Sequence, residues 1–182
     1  MIQIIDYGAG NMKSIQNALK QLGIKSKVIS SAEDLKIDSK TIFPGVGAAG
    51  DAMKELKARG FDKIIPKIKA PFLGICLGMQ LLLDFSEENN TQCLGIINGI
   101  VRKFPETVKT PQMGWNKVMP NDDFFYFANS YYVDCKNPVA TTNYGINFAS
   151  IIKKKNFYGV QFHPEKSGEA GLKLLNNFCK SC

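Results

Sequence analysis

Arginine is almost missing from this chain: of 23 basic residues only Arg59 and Arg102 are arginines, and the rest are lysines. Readers of nucleic acid lean on arginine forks and stacked aromatic rings, and neither clusters here, so no nucleic-acid partner is expected. The net charge of +7 leaves a general attraction for anions, with Lys153-Lys154-Lys155 reading as a solvated turn. Long apolar runs are missing too. The longest, Pro71 to Leu83, is interrupted by Gln80 and falls short of the roughly 20 residues of a membrane span, so no membrane partner is expected. Met1-Ile2-Gln3-Ile4-Ile5-Asp6 lacks the basic region and apolar stretch of a signal peptide, which makes the cytoplasm the expected location. The five cysteines are odd in number and irregularly spaced, which excludes a disulfide framework and fits a reducing compartment. Cys179 and Cys182 form a C-x-x-C pair, but no second pair or spare histidine completes a metal site, and none is expected. The sequon Asn89-Asn90-Thr91 is empty without secretion. Internal repeats, low-complexity segments and linkers are absent as well, and 182 residues with 45% hydrophobic content read as one domain spanning 1–182.

What is present is an alternation. Ile2–Ile5, Ile24–Ile29, Thr41–Phe43 and Pro71–Ile75 are short apolar runs of the kind that form buried strands. Between them lie helical patterns: Ile15, Leu19 and Leu22 share a face, Gly23 follows as a stop, and Asp51–Arg59 ends at Gly60. Met79–Phe85 reads as the helix after the last of these strands. Such alternation predicts an α/β fold with a mostly parallel central sheet and helices on both faces. The second half changes character. Ile96–Phe104, Met113–Met119, Phe124–Phe127, Val139–Tyr144, Phe148–Ile152 and Phe157–Phe162 read as strands joined by short turns, and Gly168–Lys180 as a closing helix. These are expected as antiparallel additions to the sheet.

Gly74-Ile75-Cys76-Leu77-Gly78 has the form G-x-C-x-G between a predicted strand and a predicted helix, the cysteine version of a nucleophile elbow. A sharp turn there forces the nucleophile into a crowded backbone conformation, which the flanking glycines relieve. The side chain then stands free at the carboxyl edge of the sheet. The N–H of Leu77, heading the next helix, is poised to hold a developing oxyanion. A buried cysteine acting as a small hydrophobe is the bland alternative, and the paired glycines at a strand–helix junction argue against it. His163 ends an apolar strand and is followed by Pro164-Glu165. Proline disfavours helical geometry at the residue before it, so His163 stays extended and Glu165, two residues on, lies on the same side. Cysteine, histidine and an orienting carboxylate form a triad by role, whatever their order in the chain. Pro44-Gly45-Val46-Gly47 brings a glycine-rich backbone to the same edge, where it can supply a second oxyanion N–H or be a plain connecting loop.

Together these segments resemble the class I glutamine amidotransferases. Pro71 to Leu82 looks like that family's nucleophile motif, Gly159 to Glu165 like its histidine–glutamate motif, and Pro44–Gly47 like its oxyanion loop. The resemblance implies glutamine hydrolysis through a thioester on Cys76, with His163 and Glu165 completing the catalytic triad and no cofactor. It implies an oxyanion site at Leu77, Val46 and Gly47. It places the substrate glutamine on Gln80, on Gly47 and on the backbone of Ser130 and Tyr131. Within the family, Asp6 to Asn11, Met113-Gly114-Trp115-Asn116 and Ser130-Tyr131-Tyr132 look most like the branch serving histidine biosynthesis. That branch docks on a (β/α)8-barrel cyclase subunit, forming a heterodimer through which ammonia passes, so Met113, Trp115 and Asn116 are the expected partner interface. One departure stands out: Asn129, after Ala128, replaces the histidine expected before Ser130. It keeps open a paralogous subunit that feeds ammonia to another acceptor, such as a surface-sugar precursor. A stand-alone γ-glutamyl cysteine hydrolase on the same fold, or a binding protein without activity, would be different classes of answer. Free activity without a partner would mark the hydrolase, and an intact Cys76, His163 and Glu165 argues against the binding protein.

Overall fold

The computed structural model describes residues 1–8 and 10–181, Ser181 by its backbone alone. The first half alternates β1 (Ile2–Ile5), α1 (Met12–Gln21), β2 (Ser26–Ile29), β3 (Thr41–Gly45), α2 (Ala49–Ala58), α3 (Phe61–Ile64), β4 (Phe72–Cys76) and α4 (Leu77–Gln80). The second half runs β5 (Phe85–Ser86), β6 (Thr91–Gln92), β7 (Ile100–Lys103), β8 (Gln112–Val118), β9 (Asp123–Asn129), β10 (Tyr131–Asp134), β11 (Ala140–Asn143), β12 (Asn147–Lys154), β13 (Phe157–Val160) and α5 (Gly168–Ser181). The main sheet has the order β2-β1-β3-β4-β13-β12-β10-β7-β5-β6, with β11 on β12. Pairing is parallel from β2 through β13 and antiparallel from β13 through β12 and β10 to β7, as the change in character predicts.

The central strands are apolar on both faces because helices cover both. Neighbouring residues of an extended chain point to opposite sides, and each side has its own cluster. Ile4, Ile42, Leu73 and Ile75 pack with Ile15 and Leu19 of α1 and Leu175 and Phe178 of α5. Ile5, Phe43 and Phe72 pack with Met53 and Leu56 of α2 and Phe61 of α3. Asn11 starts α1 by accepting the Ser14 N–H at 3.2 Å, and Gly23, at φ +71°, ends it. No helix among the described residues is long and apolar enough to cross a membrane.

Three expectations need correction. The helix read over Met79–Phe85 is only the four residues of α4. The run Leu81-Leu82-Leu83 is fully buried, and its carbonyls accept N–H groups from Leu94, Gly95, Ile96 and Ile97 instead of continuing a helical ladder. A continuous apolar run carries no periodicity, so burial in turns and burial in a helix look alike in sequence. Second, β8 and β9 pair with each other as a separate two-stranded ladder and do not join the main sheet. Third, Tyr131–Asp134 is a strand, β10, and of Ile96–Phe104 only Ile100–Lys103 is strand. The lysine run ends β12, with Lys155 turning the chain into β13 at φ 55°. The C-x-x-C pair involves Cys182, which lies outside the described residues.

At Gly78 the elbow packs directly on the next strand: a Cβ there would run into the Phe43 carbonyl oxygen. Overpacking against backbone has no flexible way out, so Gly78→Ala is expected to cost about 3 kcal/mol in a urea melt. Gly23 has nothing within 4 Å of such a Cβ, and Gly23→Ala should cost only the backbone strain of its positive φ, about 1–2 kcal/mol. Equal losses at the two positions would refute the packing account.

Candidate active site

Parallel strands β3, β4 and β13 lie side by side, with Gly45 level with Cys76 and Val160 level with Ile75. Their carboxyl ends therefore deliver the Pro44–Gly47 loop, the elbow and the His163 segment to one edge. Cys76 has φ 53° and ψ −113°, a conformation that L residues adopt under strain, and it joins β4 directly to α4. Gly74 and Gly78 make the turn possible. A Cβ on Gly74 would lie 2.6 Å from the Gly78 carbonyl oxygen, so the strand and the helix touch backbone to backbone.

His163 follows β13 in extended conformation, and Glu165 accepts its Nδ1–H at 2.9 Å. The other ring nitrogen is left for Cys76. The backbone fixes this segment: His163 N donates to Tyr126 O at 2.8 Å, and Ser167 Oγ donates to His163 O at 2.6 Å. Glu165 Oε2 is buried and without a partner among the described residues, so the carboxylate's one contact, through Oε1, is with the imidazole. Burial by itself lowers the His163 pKa, but Cys76 and Glu165, through hydrogen bonds and charge, outweigh it and raise the value to about 10. The thiol of Cys76 faces Ala128 O at 3.9 Å and receives Gln161 Nε2 at 3.7 Å.

Around this group is a cavity of about 330 Å³ lined by Val46, Gly47, Cys76, Leu77, Gln80 and Tyr131, with His163 among its walls. Ser130 lines it as well, so the residues read as oxyanion and glutamine positions all reach one pocket. Gln80 is more constrained than expected. Its Nε2 donates to Tyr131 O and to Gln161 Oε1, both at 3.0 Å, so only its Oε1 is free to receive a ligand. Met113, Trp115 and Asn116 stand apart from the pocket on β8; Met113 and Trp115 are 68% and 56% exposed. Trp115 meets Tyr126 edge-on at 6.3 Å, and Asn116 Nδ2 donates to Asn143 O.

Sequence reading missed four members of the site. Gln161 was findable, since it sits two residues before His163 on an extended segment and faces the same way. Glu88 and Lys166 also line the cavity, as does Pro111. Glu88 Oε2 accepts the Ala49 N–H at 2.8 Å, at the start of α2. Burial raises the Glu88 pKa most, the Ala49 N–H opposes it, and Asp51 adds to the rise. Asn129 lies on the pocket wall with Nδ2 donating to Tyr131 O, while its Oδ1 is buried and unpartnered among the described residues.

A strained cysteine at a strand–helix elbow, an imidazole held by a carboxylate, and a pocket lined by both the elbow and the Val46–Gly47 loop make an arrangement suited to cysteine-dependent acyl transfer. The family model of class-I glutamine amidotransferases matches residues 3–182, and the chain belongs to that family. Relatives include the imidazole glycerol phosphate synthase subunit HisH of Dehalococcoides mccartyi strain 195, 46% identical over 99% of this chain and 97% of that protein. HisH 1 of Methanococcus maripaludis is 47% identical over 98% of each chain. Among solved structures, a glutamine amidotransferase crystal structure superposes with a TM-score of 0.77 over 97% of this chain and 96% of that one, at 17% identity. At that identity the likeness shows the fold alone.

His163 is the chain's single histidine, so its imidazole signals can be followed by NMR without ambiguity. They should titrate far above the ordinary 6.5, and both Cys76→Ala and Glu165→Gln should move the midpoint down. Because the folded pKa is raised, the stability that this protonation contributes is complete below about pH 6.5 and fades as pH rises through about 10. The stability gap between wild type and Glu165→Gln should therefore be wider near pH 6.5 than above about pH 10. A midpoint near 6.5 that ignores both substitutions would contradict the geometry.

Proposed function

We propose that this chain is the glutaminase subunit of an imidazole glycerol phosphate synthase, hydrolysing glutamine to glutamate and ammonia for a cyclase subunit in histidine biosynthesis. The observation that carries the chemistry is the Glu165–His163 contact of 2.9 Å beside Cys76 at the elbow. The relatives' names, at 46% and 47% identity over nearly the whole chain, support the pathway. Residues 1–182 act as one glutaminase domain, working in the cytoplasm as half of a heterodimer with a (β/α)8-barrel cyclase.

Cys76 Sγ, with the proton already resting on His163, attacks the side-chain carboxamide carbon, the C=O π pair moves to oxygen, and the oxyanion is held by the N–H groups of Leu77 and of the Val46–Gly47 segment. His163 then protonates the leaving ammonia, and water, deprotonated by His163, cleaves the γ-glutamyl thioester. Apart from His163 the pocket's charged residues are Glu88 and Lys166, one of each sign, which suits a zwitterion. Glu88 meets the α-ammonium, while Lys166, with the backbone of Ser130 and Tyr131, favours the α-carboxylate. Gln80 contributes its free acceptor. The Gly45–Val46 peptide turns its N–H to the substrate in the assembled state, and the glycines on either side of Val46 make that turn cheap. Met113, Trp115 and Asn116 dock on the barrel.

Two measurements check these roles. Glu88→Gln keeps an acceptor for Ala49 N but loses the charge, so KM for glutamine should rise about tenfold while kcat stays within about twofold. A kcat collapse with KM unchanged would move Glu88 out of substrate binding. The synthase reading is tested by the glutaminase rate of the chain alone, with the barrel subunit, and with barrel and its phosphorylated acceptor. Near-idleness alone and stimulation in the full mixture are expected, and Trp115→Ala should weaken docking by about 30-fold. Full activity of the isolated chain would favour a free hydrolase. Stimulation by the barrel that ignores the histidine-pathway acceptor would favour a paralogous pathway.

A further inference from the structure

Tyr7 follows β1, and its ring is fully buried against Phe43, with centroids 5.4 Å apart. Its hydroxyl is buried too and has no hydrogen-bond partner among the described residues. An orphan hydroxyl is costly, and phenylalanine would fill the same space without that cost. The location of the oxygen is unusual. A Cβ built on Gly45 would lie 2.7 Å from Tyr7 Oη, so the hydroxyl rests against the backbone one residue before Val46. Gly45 is in turn level with Cys76 in the sheet, which puts the phenol beneath the proposed oxyanion loop and beside the elbow. Burial first, and the neighbouring Cys76 second, push the phenol above the ordinary tyrosine range, so it keeps its proton and acts as a donor.

A planar peptide carries its N–H and its carbonyl on opposite sides. When the Gly45–Val46 unit turns the Val46 N–H toward the substrate, the Gly45 carbonyl swings away from the substrate. We propose that Tyr7 is a positioning residue for the oxyanion loop: its hydroxyl donates to the Gly45 carbonyl in the turned state and so holds the Val46 N–H in place. The inference rests on the glutaminase reading above. It also gives Gly45 two reasons to be glycine: any side chain would strike the Tyr7 hydroxyl, and the turn needs a freely rotating residue.

The test compares wild type with Tyr7→Phe, which removes one O–H and leaves the ring. A glutamine analogue with an aldehyde in place of the carboxamide reports on the oxyanion site. Cys76 Sγ adds to the aldehyde carbon, the C=O π pair moves to oxygen, and the thiol proton neutralises the product as a hemithioacetal. In the complex with the barrel subunit, where the loop is turned, Tyr7→Phe should bind this aldehyde about tenfold more weakly, yet bind glutamate as wild type does and melt no lower. In the same complex, kcat should fall about tenfold at unchanged KM. Alkylation of Cys76 by iodoacetamide, which needs no oxyanion site, should keep its rate. Aldehyde affinity within about twofold of wild type would overturn the proposal. So would parallel losses in glutamate affinity or alkylation, which would mark a general disturbance of the pocket. A wild-type complex that fails to hydrolyse glutamine would sink the glutaminase reading instead, and the aldehyde comparison is readable without it.

Discussion

The register of three parallel strands underlies everything at the site. With Gly45 opposite Cys76 and Val160 opposite Ile75, β3, β4 and β13 end level. A slip of one residue in either pairing would turn a strand's side chains to the other face of the sheet. Cys76 would then no longer share an edge with His163, and the Pro44–Gly47 backbone would end short of both. The helices lock this register from both sides through Ile42, Leu73 and Ile75 on one face and Phe43 and Phe72 on the other. Packing far from the chemistry thus fixes distances within it.

Around that frame, β9 acts as a second support. It stands outside the main sheet, yet Tyr126 receives the His163 N–H and Ala128 receives the Cys76 thiol. One strand touches the proposed nucleophile and base through its carbonyls while its partner β8 displays Met113 and Trp115 to solvent. The proposed docking face and the reacting atoms are therefore separated by a single pair of strands.

Much of this was legible in sequence where a residue type is forced by local backbone geometry. Glycines on both sides of a cysteine, or a proline after a histidine, announce their conformation wherever they stand. The strands β1 to β4 were legible because each is a short apolar run between turn signals. Leu81-Leu82-Leu83 was not, because its partners, the N–H groups of Leu94 to Ile97, belong to a segment whose position only the fold reveals. Glu88 was invisible for a similar reason. It reaches the pocket from a short turn, and its tie to Ala49 spans 39 residues with no pattern to announce it. Two tyrosines illustrate the same boundary. Both lie in motifs, but Tyr131 reads as a site residue from sequence, whereas nothing sets Tyr7 apart until its hydroxyl is found against Gly45.

Cys76 itself sits where folding alone would place a different residue. At φ 53° and ψ −113° any side chain is strained, by about 1–3 kcal/mol, and glycine would relieve it. A lineage selected only for a stable fold would drift to glycine at that position and gain by it. The proposed chemistry needs a thiol there, so function and stability pull this position in opposite directions. Should an ammonia supply from another source free this gene from selection, position 76 is where decay would be rewarded first, leaving a sturdier protein that no longer reacts.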